Sequence, residues 1–199
     1  MVFSRNNPLV SNSKQKLFSV VGCTILFKLV LFLYVNPNSL NYQNNMMLVS
    51  DGLGYFNLGN NLLSSGIFSM DNVHIEYFRT PGFPIFLSVF FLISKNLLWV
   101  VIVQSILVIV TQVVLYKLLE SLTSARVGLI GAAIFGLDPH VNYYSFTLFS
   151  ETLLLFFLVS TFFFLRKYLL NKLKIELIWF LVFVNFLFAI TAVLNVFQV

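Results

Sequence analysis

The chain has only seven acidic residues in 199, few enough to consider one by one. Asp51, Asp71 and Glu76 fall in a single polar stretch, DGLGYFNLGNNLLSSGIFSMDNVHIEYFRTPGFP, which runs from Asp51 to Pro84 and also holds His74 and Arg79. With Asp51 as a helix start and Ser50 as its candidate cap, Tyr55, Gly59, Leu62 and Gly66 follow at offsets of 4, 8, 11 and 15. On an α-helix these positions fall within roughly 80° of one face, and Gly66 ends the run. A carboxylate and a phenol above small residues form a stripe that can lie on another surface and aim the acid at the space above. The same spacing also suits an interfacial amphipathic helix whose Asp is solvated or paired with a lysine.

The segment Arg79-Thr80-Pro81-Gly82-Phe83-Pro84 predicts a sharp turn. Each proline pushes the residue before it toward extended backbone, and Gly82 permits close backbone approach. A guanidinium at such a turn suits a phosphate, because arginine offers a rigid fork of donors; it equally suits lipid headgroups. Glu151 opens an apolar helix. It is either a favourable charge at a helix N-terminus or a second carboxylate facing the same space as Asp51. His74 and His140 have no partner at metal-ligand spacing. Asp138-Pro139 reads as a helix break.

These residues are carried by a hydrophobic chain. Hydrophobic residues make up 59%, charged residues 10%, and the mean hydropathy is +0.92. Soluble domains carry about 25% charged residues, so the expected class is an all-α polytopic membrane protein. The 24 phenylalanines fit lipid contact and helix packing. One cysteine, Cys23, allows no internal disulfide and reads as a small buried hydrophobe. The net charge of +5 sits in clusters between apolar runs, which is an orientation signal, and no nucleic-acid partner is expected.

Five spans are expected: Leu17 to Val35, Leu97 to Leu119, Val127 through the Asp138-Pro139 break toward Leu148, Thr152 to Leu165, and Leu177 to Phe197. The first reads as a retained anchor, with Lys28 snorkelling outward. Pro84 to Ser94 is too short to span and is expected at the interface. Arg5, Lys14, Lys16, Lys117, Arg126, Arg166, Lys167, Lys172 and Lys174 then fall on the inner side. Asp51, Asp71, Glu76, Arg79, Asp138 and Glu151 fall on the outer side. The expectation is one transmembrane domain over 1–199, with 36–96 extracytoplasmic, the N-terminus cytoplasmic and the C-terminus extracytoplasmic, in the cell membrane.

Three pieces occur in order: D-x-x-x-Y-x-x-x-small-x-x-L-x-x-x-G from Asp51, then R-T-P-G-F-P from Arg79, then Glu151-Thr152-Leu153. Together they resemble the membrane glycosyltransferases of the GT-C superfamily, of the dolichyl-phosphate-mannose protein mannosyltransferase and aminoarabinose transferase type. The resemblance covers about Leu17 to Leu170. It implies hexosyl or pentosyl transfer from a polyprenyl-phosphate carrier to an acceptor at the outer membrane face. It also implies Asp51 and Glu151 as catalytic carboxylates, with Tyr55, Arg79, Pro81 and Gly82 binding substrate. Asp51 would act as general base or orient the acceptor hydroxyl, and Arg79 would hold the lipid phosphate. Some relatives use a divalent cation; a single Glu without a D-x-D pair does not specify one.

Two departures stand out. Where many relatives carry Thr-Arg-Pro at the outer end of the last helix, this chain reads Ala189-Ile190-Thr191-Ala192-Val193-Leu194. Relatives also continue for several more helices. The alternative expectation is therefore a truncated, non-catalytic GT-C-like subunit or scaffold that works with a second membrane chain. A small transporter is disfavoured, because the polar residues gather at one surface and not at the midplane.

Overall fold

The computed structural model describes residues 8–191, and its regular structure is helical apart from an isolated bridge between Ser69 and Ile75. Helix α1 (Pro8–Val35) stops at Asn36, whose backbone is left-handed (φ 47°). Asparagine tolerates that conformation, and Pro37 beyond it cannot continue the hydrogen-bond ladder. A helical turn, α2 (Leu40–Tyr42), and a π-helical run, Gln43–Met47, lead into α3 (Asp51–Ser65). Ser50 does not cap α3 as expected: it sits at φ 52° and its side chain makes no capping bond. Gly66 ends the helix in the left-handed region at φ 71°, a conformation that costs glycine little.

The remaining helices are α4 (Gly82–Phe91), α5 (Leu98–Leu122), α6 (Ala125–Leu137), α7 (Pro139–Tyr144), α8 (Glu151–Asn171) and α9 (Lys174–Thr191). The segment of α1 from Ser13 onward, α5 and α8 are each long and apolar enough to cross a membrane. The chain is an integral membrane protein. Helix α4, at ten residues, is too short to span, as its sequence predicts. The third expected span is divided. Helix α6 has 13 residues, and Asp138 then turns the chain and caps α7 by accepting from the His140 and Val141 amides at 2.8 and 2.9 Å. Helix α9 accounts for the start of the last expected span; the part beyond Thr191, including Ala192 to Leu194, lies outside the described residues.

Helix α5 packs against both α6 and α8, α1 lies on α5 and α6, and α8 pairs with α9. The α8–α9 seam is aromatic, with Phe157 stacked on Phe186 (5.1 Å) and Phe164 on Phe183 (5.3 Å). The α1–α5–α6 seam is polar at one point: Gln112 Nε2 donates to Thr24 Oγ1 (2.8 Å) and to the Ala132 carbonyl (2.9 Å). Gly136 leaves room for that pair, since a Cβ there would strike both Gln112 and Thr24. Small residues let helices approach closely and share such bonds in a membrane.

Two expectations for α1 are corrected. Cys23 is exposed, because the helix turns Thr24 and Lys28 inward and leaves Cys23 on the outer face. Lys28 is 5% exposed and does not snorkel; its ammonium donates to Ser145 Oγ at 2.7 Å.

A hydrophobic core joins the polar loop to the bundle. Met47, Phe83, Leu87, Phe146, Leu148 and Ile190 are all buried in it. It fastens α3, α4 and the ends of α8 and α9 to one another, and the candidate site lies at that end of the molecule.

Candidate functional site

Helix α3 lies on α4 through Tyr55 and Gly59 of the predicted stripe, joined by Phe56, while a Cβ on Gly66 would meet nothing. Gly59 is buried against Leu87 and the Pro84 carbonyl, and Tyr55 meets Phe83 edge to face at 5.1 Å. Tyr55 thus packs α3 onto α4. Asp51, the first residue of α3, stands clear of this contact and its side chain is 59% exposed.

The loop after Gly66 is folded by its own polar groups. Asp71 accepts from the Val73 and His74 amides (2.9 and 2.8 Å) and pairs with His74 Nδ1 (2.8 Å). These bonds and one from Ser69 hold its carboxyl well below the ordinary carboxylate range. Asn61, buried on α3, donates to the Ser69 carbonyl at 2.8 Å and ties the loop to the helix. The Glu76 amide bonds the Phe68 carbonyl, so the loop returns on itself just before Arg79.

Arg79 is thereby carried back to Asp51, 28 residues earlier, with Nη2 donating to Asp51 Oδ1 at 2.9 Å. Nη1 faces Glu76 Oε2 at 3.5 Å, and the Glu76 side chain is only 6% exposed. The guanidinium lies over the backbone of Gly54: a Cβ there would stand 2.9 Å from its Cζ and Nε. Arg79 Nε is buried and has no hydrogen-bond partner.

The turn after Arg79 is clamped to α9. Thr80 Oγ1 donates to the Ile190 carbonyl at 2.7 Å, and Gly82 sits against the Ala189 carbonyl, 2.8 Å from where a Cβ would be. Pro81 precedes α4 with near-helical backbone (φ −76°, ψ −17°). Pro81 and Gly82 therefore shape the turn and dock it to α9.

Glu151 opens α8. Its Oε2 is buried without a partner, and its carboxylate interacts electrostatically with that of Asp51. The structure thus gathers Asp51, Arg79 and Glu151 at one end of the bundle. His140 pairs with Asp138, at 4.0 Å. For a divalent cation the donor set is thin: among the described residues no three His, Cys, Asp or Glu side chains form a group, and Asp51 is already taken by Arg79. The described residues do not form a cation cage.

The sequence model of the dolichyl-phosphate-mannose-protein mannosyltransferase family matches residues 79–198. The chain belongs to that family. No curated protein and no solved structure gives a match. It is thus a glycosyltransferase-like membrane protein of the mannosyltransferase family. Arg79, Pro81, Gly82 and Glu151 lie within the matched span; Asp51 and Tyr55 precede it.

Three features went unseen in the sequence. Gly54 as the seat of Arg79 shows only once α3 and the loop are side by side. Glu76 as a second partner had a faint signal, an acid three residues before the arginine. The Thr80–Ile190 bond joins residues 110 apart and had none.

Proposed function

We propose that this chain transfers a sugar from a polyprenyl-phosphate carrier to an acceptor hydroxyl at the extracytoplasmic face of the membrane. The observation that carries the reading is Arg79, anchored over Gly54 and bonded to Asp51, with the unpartnered oxygen of Glu151 at the same end of the bundle. The acceptor oxygen forms a bond to the anomeric carbon as the bond from that carbon to the phosphate oxygen breaks. The electron pair leaves with the polyprenyl phosphate, and the acceptor proton passes to Asp51. Arg79 turns from Asp51 to the phosphate and stabilises the charge that grows there. Glu151 orients the acceptor through its free oxygen. Tyr55, Pro81 and Gly82 hold the wall and the turn in place. In this reading 1–199 is one transmembrane domain, 36–96 is extracytoplasmic, and the N-terminus is cytoplasmic.

Asp51→Asn tests this directly. The Asp51–Arg79 pair is largely solvent-exposed on the Asp side, and such pairs contribute about 1 kcal/mol or less, so the variant is expected to insert and fold normally. Transfer from a polyprenyl-phosphate sugar is expected to fall about 100-fold or more, the scale on which a general base contributes. Unchanged transfer by a well-inserted Asp51→Asn protein sinks the reading.

One observation favours a second reading. The charge on Arg79 is already matched by two carboxylates, as suits a subunit that scaffolds a partner chain and performs no transfer itself. That reading expects the purified chain to be inactive alone and active on co-purification with its partner.

A further inference from the structure

Away from Asp51 and Arg79, an apolar crevice of about 270 Å³ separates α1 from α5. Ile25, Leu29 and Phe32 line one side, and Val101, Ile106 and Ile109 the other. Ile25, Leu29 and Ile106 are 41%, 54% and 52% exposed on the membrane-facing surface, so the crevice opens toward lipid.

Its one charged lining residue is Lys28. An ammonium has three N–H donors. One goes to Ser145 Oγ, which itself donates to the Asn142 carbonyl at 2.7 Å. The Phe146 ring lies 5.3 Å from Nζ and attracts the charge through its face. Among the described residues no carboxylate lies within 4.0 Å of this nitrogen. A buried amine inside a membrane-spanning helix, turned inward with no carboxylate beside it among the described residues, is held in its charged form by an anion brought to it.

We propose that the α1–α5 crevice holds one chain of an anionic membrane lipid, with its phosphate or carboxylate head paired to Lys28. The apolar walls and lipid-facing mouth select a lipid over a free ion. The volume lies below that of drug-sized pockets and suits a single slender chain. Lys28 is seven residues before the end of α1, so the head sits roughly 10 Å below that end. The site is independent of sugar transfer.

The test is native mass spectrometry of the full chain, with dioleoylphosphatidylglycerol and dioleoylphosphatidylcholine as competing probes and inorganic phosphate as a further arm. The wild type is expected to retain the anionic lipid about tenfold over the zwitterionic one, as a charge-assisted contact provides. Lys28→Met is expected to remove that preference. A diazirine-labelled phosphatidylglycerol requires no substitution, and it is expected to mark Ile25 to Phe32 and Val101 to Ile109. Equal retention of the two lipids overturns the proposal, as does an unaltered preference in Lys28→Met. Labelling elsewhere, or displacement by inorganic phosphate alone, overturns it as well.

Discussion

Arg79 is bonded to two carboxylates of unequal freedom. Glu76 is nearly buried and belongs to the same loop, so it holds one end of the guanidinium, Nη1; Asp51 is exposed and can release the other, Nη2, to another anion. Gly54 supplies the floor beneath. The atoms that a Gly54 side chain would meet are the far end of a flexible arginine, which can move aside without unfolding anything. Gly54→Ala is therefore expected to leave the melting temperature nearly unchanged while lowering transfer by about 100-fold, the cost of a small misplacement near a reacting centre. Measuring Tm and kcat/KM on one preparation checks this. A large drop in Tm with an unchanged rate per folded molecule contradicts the role given to Gly54. Gly82 differs, because what a side chain would meet there is the Ala189 backbone carbonyl, which has no such freedom.

The loop between α3 and α4 is the element that brings Arg79 to Asp51, and Asp71 is its organising residue. Its folded carboxyl is held below the ordinary value of about 3.9 by bonds from His74, Val73 and Ser69. A depressed acid stabilises the fold fully above the unfolded pKa, and the contribution is lost as pH falls through the folded one. Amide exchange at Val73 and His74, corrected for intrinsic rates, is expected to stay protected down to about pH 4 and to open only below it. Asp71→Ala is expected to open both amides at neutral pH. Loss of protection in the wild type already at pH 5 sinks this account. The stripe from Asp51 to Gly66 shows in the sequence because helical period and a glycine stop are local signals. The loop's closure does not, since it rests on a tertiary bond from Asn61 to the Ser69 carbonyl. Lys28 misleads for the same reason: its inward turn is decided by Ser145, 117 residues away.

At the scale of the whole molecule, the lysine and arginine clusters gather at one end. Arg166 donates to the Ser121 carbonyl at 2.9 Å, and Lys167 approaches Glu176 at 4.0 Å, so the α5 terminus and the α8–α9 hairpin share one end. Asp51, Arg79, Glu151 and the Ile190 carbonyl share the other. This sorting is legible in the sequence because an apolar run of fixed length leaves a charge few places to go. The split of α6 from α7 is less so, because a break at Asp138-Pro139 can bend a span or end it. In the proposed topology, loops rich in lysine and arginine stay cytoplasmic and the Arg79 end faces outward. In a Cys23→Ser background, Asn72→Cys and Thr123→Cys place single thiols at the two ends without altering a charge. A membrane-impermeant maleimide applied to intact cells is expected to label Asn72→Cys at once, and Thr123→Cys only after permeabilisation. The reverse pattern would put Asp51 and Arg79 on the cytoplasmic side, where a donor presented at the outer leaflet could not reach them. The extracytoplasmic transfer mechanism would then fail even if the two residues prove essential.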